Sequence, residues 1–250
     1  MDNIIIEMDH VSMCFNLARE KTDNLKEYFV KAMKKQLHYN EFFALSDVSF
    51  QIKPGESVAL IGANGSGKST ALKLIAGVLY PSMGTVKRNA GVAPLIELGA
   101  GFDMELTARE NIFLNGAVLG YNRRVMQDYF QEIMDFSGLW EFVDVPVKNF
   151  SSGMVARLGF AIATVVKEDI LVVDEILAVG DFKFQEKCHK RMKEMLSGGT
   201  TLLLVSHNED EVRRLCKRAI WLDHGVVKMD GPCNDVCNAY REAYDRTREL

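Results

Sequence analysis

Eight consecutive residues, Gly62-Ala63-Asn64-Gly65-Ser66-Gly67-Lys68-Ser69, have the types and spacing needed to hold a run of phosphates. Glycines at 62, 65 and 67 let the backbone turn its N–H groups inward around phosphate oxygens, where side chains would obstruct the cradle. Lys68 supplies a point charge for the β- and γ-phosphates, Ser69 a hydroxyl for Mg2+, and Thr70 a group that reaches an α-phosphate oxygen. Downstream, the apolar run Ile170-Leu171-Val172-Val173 ends in Asp174-Glu175. Such a pair after a strand is by itself most often a solvated loop. Beside a phosphate loop, the same pair suits phosphoryl transfer, with Asp174 helping to hold Mg2+ and Glu175 orienting water as a general base. His207 follows Leu202–Ser206, where a parallel sheet leaves residues at the carboxyl ends of its strands, beside the same phosphates.

The periodicity around these groups predicts elements that can position them. Glu56–Gly62 reads as an apolar strand running into the glycine loop, and Ser69–Leu79 as the helix that leaves it, with the positive helix end adding to the attraction for phosphate. Strands are also expected at Ile4–Met8, Leu45–Ile52, Ile170–Val173, Thr201–Val205 and Ala219–Leu222. Helices are expected at 124–136, 184–196 and 209–216. Thr107-Ala108-Arg109-Glu110 fits a capping box opening another helix, which makes the middle third helical. Short apolar runs bounded by helices predict a parallel sheet buried on both faces.

Composition narrows the setting. The 250 residues allow one substantial core, and 30 basic against 34 acidic residues give a formal charge of -4. No global basic field is present to hold nucleic acid, which is not an expected partner. Five scattered cysteines fit a reducing compartment, and Cys233 with Cys237 lack further ligands in the sequence around them for a metal. The N-terminus has no signal-peptide pattern, and the apolar stretch Leu158–Val166 is far shorter than the roughly 20 residues that span a bilayer. Any membrane span is therefore expected from another chain.

With Phe150-Ser151-Ser152-Gly153-Met154 added, which looks like a diverged Leu-Ser-Gly-Gly-Gln signature, nearly the whole chain resembles the nucleotide-binding subunit of ABC transporters. The resemblance implies an α/β fold: a P-loop NTPase (RecA-like) core with a parallel sheet, an N-terminal antiparallel β subdomain and an inserted α-helical subdomain. Residues 1–250 form one ABC ATPase domain on this reading. Core and β subdomain take up about 1–98 and 168–231, the helical subdomain about 99–167, and a C-terminal helix about 232–250. It further implies ATP and Mg2+ as ligands and two copies sandwiching two ATP molecules. Ser151, Ser152 and Gly153 of one copy then meet the nucleotide of the other, Asp181 lies in the loop that crosses between copies, and His207 is the switch histidine. Glu97 stands where most members have Gln; its carboxylate can contact Mg2+ or its water but cannot donate the amide hydrogen bond. Phe15 falls where an aromatic stacks on adenine, with Tyr39, Phe42 and Phe43 as rivals.

Glu97-Leu98-Gly99-Ala100-Gly101-Phe102, Leu106-Thr107, Arg109-Glu110-Asn111-Ile112, the Ser-Ser-Gly-Met signature and 174–181 together are similar to the branch that exports lipid-linked polysaccharides, including O-antigens, capsules and teichoic acids. This implies an integral membrane permease as partner, two ATPase plus two permease chains, a glycan handled mainly by the permease, and a peripheral position on the cytoplasmic face of the cell membrane. A drug or peptide exporter, a soluble ABC ATPase, and a P-loop kinase or GTPase are the competing readings. The signature and His207 argue against the last. Soluble relatives commonly carry two modules or a long coiled coil, and neither pattern is present. Residues 17–40 form an insert that reads as a basic amphipathic helix, with Leu25, Tyr28, Phe29, Ala32, Met33 and Leu37 on one face. It is expected either to cover its own domain or to contact the permease or anionic headgroups. The tail from Pro232 reads as one helix, and the chain ends too soon after it for an added carbohydrate-binding domain.

Overall fold

The apolar runs pair into two sheets in the computed structural model, which describes residues 3–18, 39–96, 98–99, 101–174, 181–206 and 208–248. Chain order runs β1 (Ile6–Ala18), β2 (Tyr39–Ile52), β3 (Ser57–Ile61), α1 (Lys68–Ala76), β4 (Met83–Arg88) and β5 (Val92–Leu95). Helices α2 (Ala108–Val118), α3 (Arg123–Ser137) and α4 (Ser152–Val165) follow. The last part holds β6 (Ile170–Asp174), α5 (Phe182–Ser197), β7 (Thr201–Val205), α6 (Glu209–Leu215), β8 (Arg218–Asp223), β9 (Val226–Pro232) and α7 (Cys233–Arg248).

One sheet is antiparallel, in the order β2-β1-β4. The other has the order β5-β6-β7-β3-β8-β9 and is parallel except for the β8–β9 pair. Its central strands are apolar except at their ends, because both faces are covered. Val58 and Leu60 of β3 point into a core shared with Leu72 and Ile75 of α1 and with Ile52 and Phe50 of β2. Ala59 and Ile61 point the other way, toward Phe160 of α4 and Phe184 and Met192 of α5. A third core, built on Ile112, Met126, Ile133 and Leu158, joins α2, α3 and α4. The predicted capping box at Thr107 is present, with the Thr107 N–H donating to Glu110 Oε2 at 2.8 Å and the Glu110 N–H to Thr107 Oγ1 at 3.2 Å.

Three strands escape the periodicity reading. β4 is largely exposed, so no buried face marks it. β5 carries Pro94 and survives as an edge strand, where a missing N–H costs no ladder bond. β9 alternates weakly at the opposite edge. It is joined to β8 by a tight turn, in which His224 (φ 47°) and Gly225 (φ 79°) make a two-residue connection with both residues left-handed, the geometry that favours glycine in tight hairpins. β1 and β2 also run well beyond the expected Ile4–Met8 and Leu45–Ile52, continuing as a paired ribbon to Ala18 and Tyr39. The basic amphipathic helix expected between them lies outside the described residues. α7 matches the helix expected in the tail. No helix among the described residues is long and apolar enough to cross a membrane.

Candidate functional site

The loop 62–67 leaves the carboxyl end of β3, the strand between β7 and β8, and enters α1. Two of its glycines are required by space as well as by dihedral angle. A Cβ on Gly62 (φ 147°) would lie 2.1 Å from the Leu222 carbonyl oxygen, and one on Gly67 (φ 103°) 2.5 Å from that of Ala44. The loop is buttressed from behind, where the Gly225 N–H donates to the Ser66 carbonyl at 3.1 Å and the Ser46 N–H to the Gly225 carbonyl at 2.8 Å. Gly225, Ala44 and Leu45 are thus supports that motif reasoning missed, although the His-Gly turn was a usable signal for the first.

Gly67 caps α1 without a side-chain hydrogen bond, and the first turn holds no acidic residue. Its leading N–H groups therefore face the loop without a side-chain acceptor, the arrangement that attracts an anion. Buried Lys68 folds over the loop, its Nζ donating to the carbonyls of Gly62 at 2.9 Å and Ala63 at 2.8 Å. Burial lowers its pKa from the ordinary lysine value, and the negative charge of Asp174 opposes that shift. The Ser66 hydroxyl is buried and has no hydrogen-bond partner among the described residues. Ser69 is exposed and Thr70 half-buried, while Ala63, Asn64 and Gly65 form the exposed rim.

Asp174 ends β6 on one rung of the sheet: Asp174 pairs with Val205 of β7, which pairs with Leu60 of β3. Strand spacing puts it roughly 10 Å across the sheet from the start of the loop. Glu175, Glu97 and His207 lie outside the described residues. Their neighbours are described: Asp174 and Val173 lead into Glu175, Leu98 and Gly99 follow Glu97, and Ser206 and Asn208 flank His207. Ser206 Oγ donates to Glu211 Oε2 at 2.7 Å, and Asn208 caps α6 through its side-chain oxygen.

The remaining expected groups sit on helix tips and on the β ribbon. Ser151 caps α4, accepting from the Met154 N–H at 3.3 Å; Ser151 and Ser152 are exposed and Gly153 is half-buried. Deeper in α4, Gly159 clears room for the segment after Glu97, since a Cβ there would lie 3.0 Å from the Gly99 nitrogen. Asp181 is exposed and caps α5, accepting from the Phe184 N–H at 2.9 Å. Phe15 packs against the first core, directly across from Phe42 on the same sheet face, whereas Phe43 pairs with Cys14 on the other face. Phe42 and Phe43 are both exposed. Tyr39 pairs with Ala18 at the end of the ribbon.

Cys233 and Cys237, with sulfurs 3.9 Å apart, share a core with Cys216, a thiol the fold brings in from elsewhere in the chain. All three are buried, and burial pushes the Cys237 thiol up to about 12. Among the described residues no group of three or more His, Cys, Asp or Glu could hold a metal ion.

Comparison with known proteins gives a consistent picture. A family model described as ABC transporter matches residues 45–178. An O-antigen export system ATP-binding protein of Klebsiella pneumoniae is 42% identical over 241 residues, covering 96% of this chain and 98% of that protein. A teichoic acids export ATP-binding protein of Bacillus anthracis is 40% identical over 248 residues, 99% of this chain and 44% of that protein. Among solved structures, a dimeric post-hydrolysis ATP-binding cassette bound to ADP and phosphate superposes with a TM-score of 0.71 at 21% identity, covering 91% of this chain and 98% of that one. An ATP-binding subunit of an ABC transporter gives 0.73 at 23%, covering 94% and 93%. At these identities the structures show the shared fold.

Proposed function

This chain belongs to the ABC transporter family, and from that premise we propose that it is the ATP-hydrolysing subunit of an exporter of lipid-linked polysaccharide or teichoic acid. The observation that carries the ATPase reading is the loop at 62–69. Backbone cleared by Gly62 and Gly67, a helix start with no side-chain cap, a Ser66 hydroxyl unpartnered among the described residues and the buried Lys68 ammonium converge where a polyphosphate would lie. The substrate reading is supported by the names of the relatives, which are O-antigen and teichoic acid export proteins at 40–42% identity across nearly all of this chain.

In the mechanism we propose, Lys68 and the N–H groups of the loop bind the β- and γ-phosphates of ATP, and Thr70 reaches the α-phosphate. Ser69 and Asp174 present the oxygen donors that would hold Mg2+, which would supply positive charge to neutralise the charge developing on the phosphates. Glu175 orients the attacking water and takes its proton, and His207 contacts the γ-phosphate from the end of the neighbouring strand. Glu97 would offer its carboxylate to Mg2+ or its water. Ser151, Ser152 and Gly153 of a second copy close over the nucleotide, with Asp181 at the crossing between copies. ATP thereby joins two ATPase chains, and hydrolysis releases them. One aromatic of the ribbon, Phe15 or its neighbours, stacks on the adenine. The single ATPase domain works against an integral permease at the cytoplasmic face of the membrane, in a complex of two ATPase and two permease chains.

The test is co-purification with the permease and measurement of Mg2+-dependent ATP hydrolysis with candidate lipid-linked glycans. Stimulation by one glycan class, lost in Lys68→Ala, is the expected result. ATP turnover that persists in Lys68→Ala would remove the loop from its role, and the absence of a stable permease complex would remove the transport role.

A further inference from the structure

We infer that Arg157 is a positioning residue that locks the Ser151 tip of α4 to the Asp181 tip of α5, so that a second copy meets both as one preformed face. The inference deepens the two-copy reading above and rests on it.

Arg157 lies on α4, six residues beyond Ser151, and is half-buried. Its guanidinium carbon stands 5.2 Å from the centre of the Phe184 ring, and its Nε donates to the Ser137 carbonyl at 2.9 Å. Phe184 belongs to the first turn of α5, and its own N–H is the donor that Asp181 Oδ1 accepts. One guanidinium thus connects the helix capped by Ser151, the helix capped by Asp181 and the carboxyl end of α3.

The surroundings hold that contact in place. Phe184 is buried and meets Phe136 and Phe160 edge to face, at 5.6 and 6.2 Å, while those two rings stack at 5.7 Å. Arg191 and Lys187 of α5 lie over Phe136, and Arg191 is also paired with Glu132 of α3 at 2.8 Å. Gly138 makes room for the guanidinium, since a Cβ there would be 2.7 Å from Arg157 Nη2. Apolar packing alone is non-directional and would let α4 and α5 slide. A planar cation that stacks on one ring and donates in plane to a fixed carbonyl defines both distance and angle. Two tips held in fixed relation lose less conformational freedom when a partner binds them together.

The experiment uses the full chain carrying Glu175→Gln and measures ATP-dependent dimerisation by sedimentation, with ATP affinity for the dilute monomer measured separately. Arg157→Met keeps the stem but removes the cation, and Phe184→Leu keeps apolar volume but removes the ring face. Each should weaken dimerisation about tenfold, the scale of ordering one side chain at each of the two faces on association instead of beforehand. Monomer affinity for ATP should be unchanged. The double variant should be no weaker than either single one, and Arg157→Lys should recover only part of the loss because it lacks the planar fork. Should Phe184→Leu fail to fold, the Met and Lys variants at 157 decide alone. Parent-like dimerisation of Arg157→Met, full additivity in the double variant, or an equal loss of monomer ATP affinity each overturns the inference while leaving the two-copy reading intact. A Glu175→Gln parent that never dimerises with ATP overturns that reading, and this inference with it.

Discussion

Asp174, at the end of β6, acts on the Lys68 ammonium through space, opposing the fall in pKa that burial imposes on the lysine. Asp174→Asn removes the opposing charge, so the Lys68 pKa drops further and its cationic form is lost at lower pH. ATP affinity measured without Mg2+, which leaves metal binding out of the comparison, should therefore decline earlier on the alkaline side in the variant than in the parent. Superimposable alkaline limbs would detach Asp174 from Lys68.

Two glycines of the loop separate the cost of dihedral strain from the cost of space. Gly65 (φ 79°) has nothing among the described residues within 4 Å of the place a methyl group would take, so Gly65→Ala bears only the left-handed penalty of about 1–2 kcal/mol. Gly67→Ala bears that penalty and also drives a methyl to 2.5 Å from the Ala44 carbonyl and 2.6 Å from Leu45 Cδ2. Adding the usual cost of overpacking, it should lose about 2–5 kcal/mol. Urea unfolding of both variants reads the difference; equal losses would mean that β2 does not buttress the loop.

Legibility followed burial and local pattern. The central strands 57–61, 170–174 and 201–205 were readable because both faces are apolar, and α2 because its capping box is written in four residues. β4 and β9 were not, because their pairing is set by neighbours distant in the chain and leaves little apolar signature. At the site, Gly62, Lys68 and Asp174 could be read from types and spacing, since phosphate chemistry constrains those directly. The supports could not: Ala44 meets Gly67 only because β2 bulges past the loop, and Cys216 meets Cys233 and Cys237 only through the packing of α6 against α7.

Replacement of Glu175 by Gln keeps shape and removes the base. ATP binding should persist, while hydrolysis falls by about 10^2 to 10^4, leaving two copies joined around uncleaved nucleotide. Single-turnover hydrolysis and sedimentation with ATP measure the two effects, and ordinary turnover in this variant would deny Glu175 the catalytic role.

Asn111 sits fully buried in the first turns of α2, where its side chain ties down the preceding loop. Its Oδ1 accepts from the Asp103 N–H at 2.8 Å, and its Nδ2 points to the carbonyls of Asp103, Leu106 and Thr107 at 2.8, 3.1 and 3.0 Å. Asn111→Leu fills much the same volume yet leaves the Asp103 N–H without its acceptor, at about 1–3 kcal/mol for a buried group left unpaired, while the three carbonyls keep the backbone N–H groups of Leu106, Val147 and Asn111. The variant should lose about 1–3 kcal/mol in urea unfolding. Thr107→Ala, which removes an exposed cap from the same helix, should lose only about 1 kcal/mol. The comparison distinguishes a loop held by its buried amide from one held by its cap, and a larger loss in the Thr107 variant would reverse that assignment.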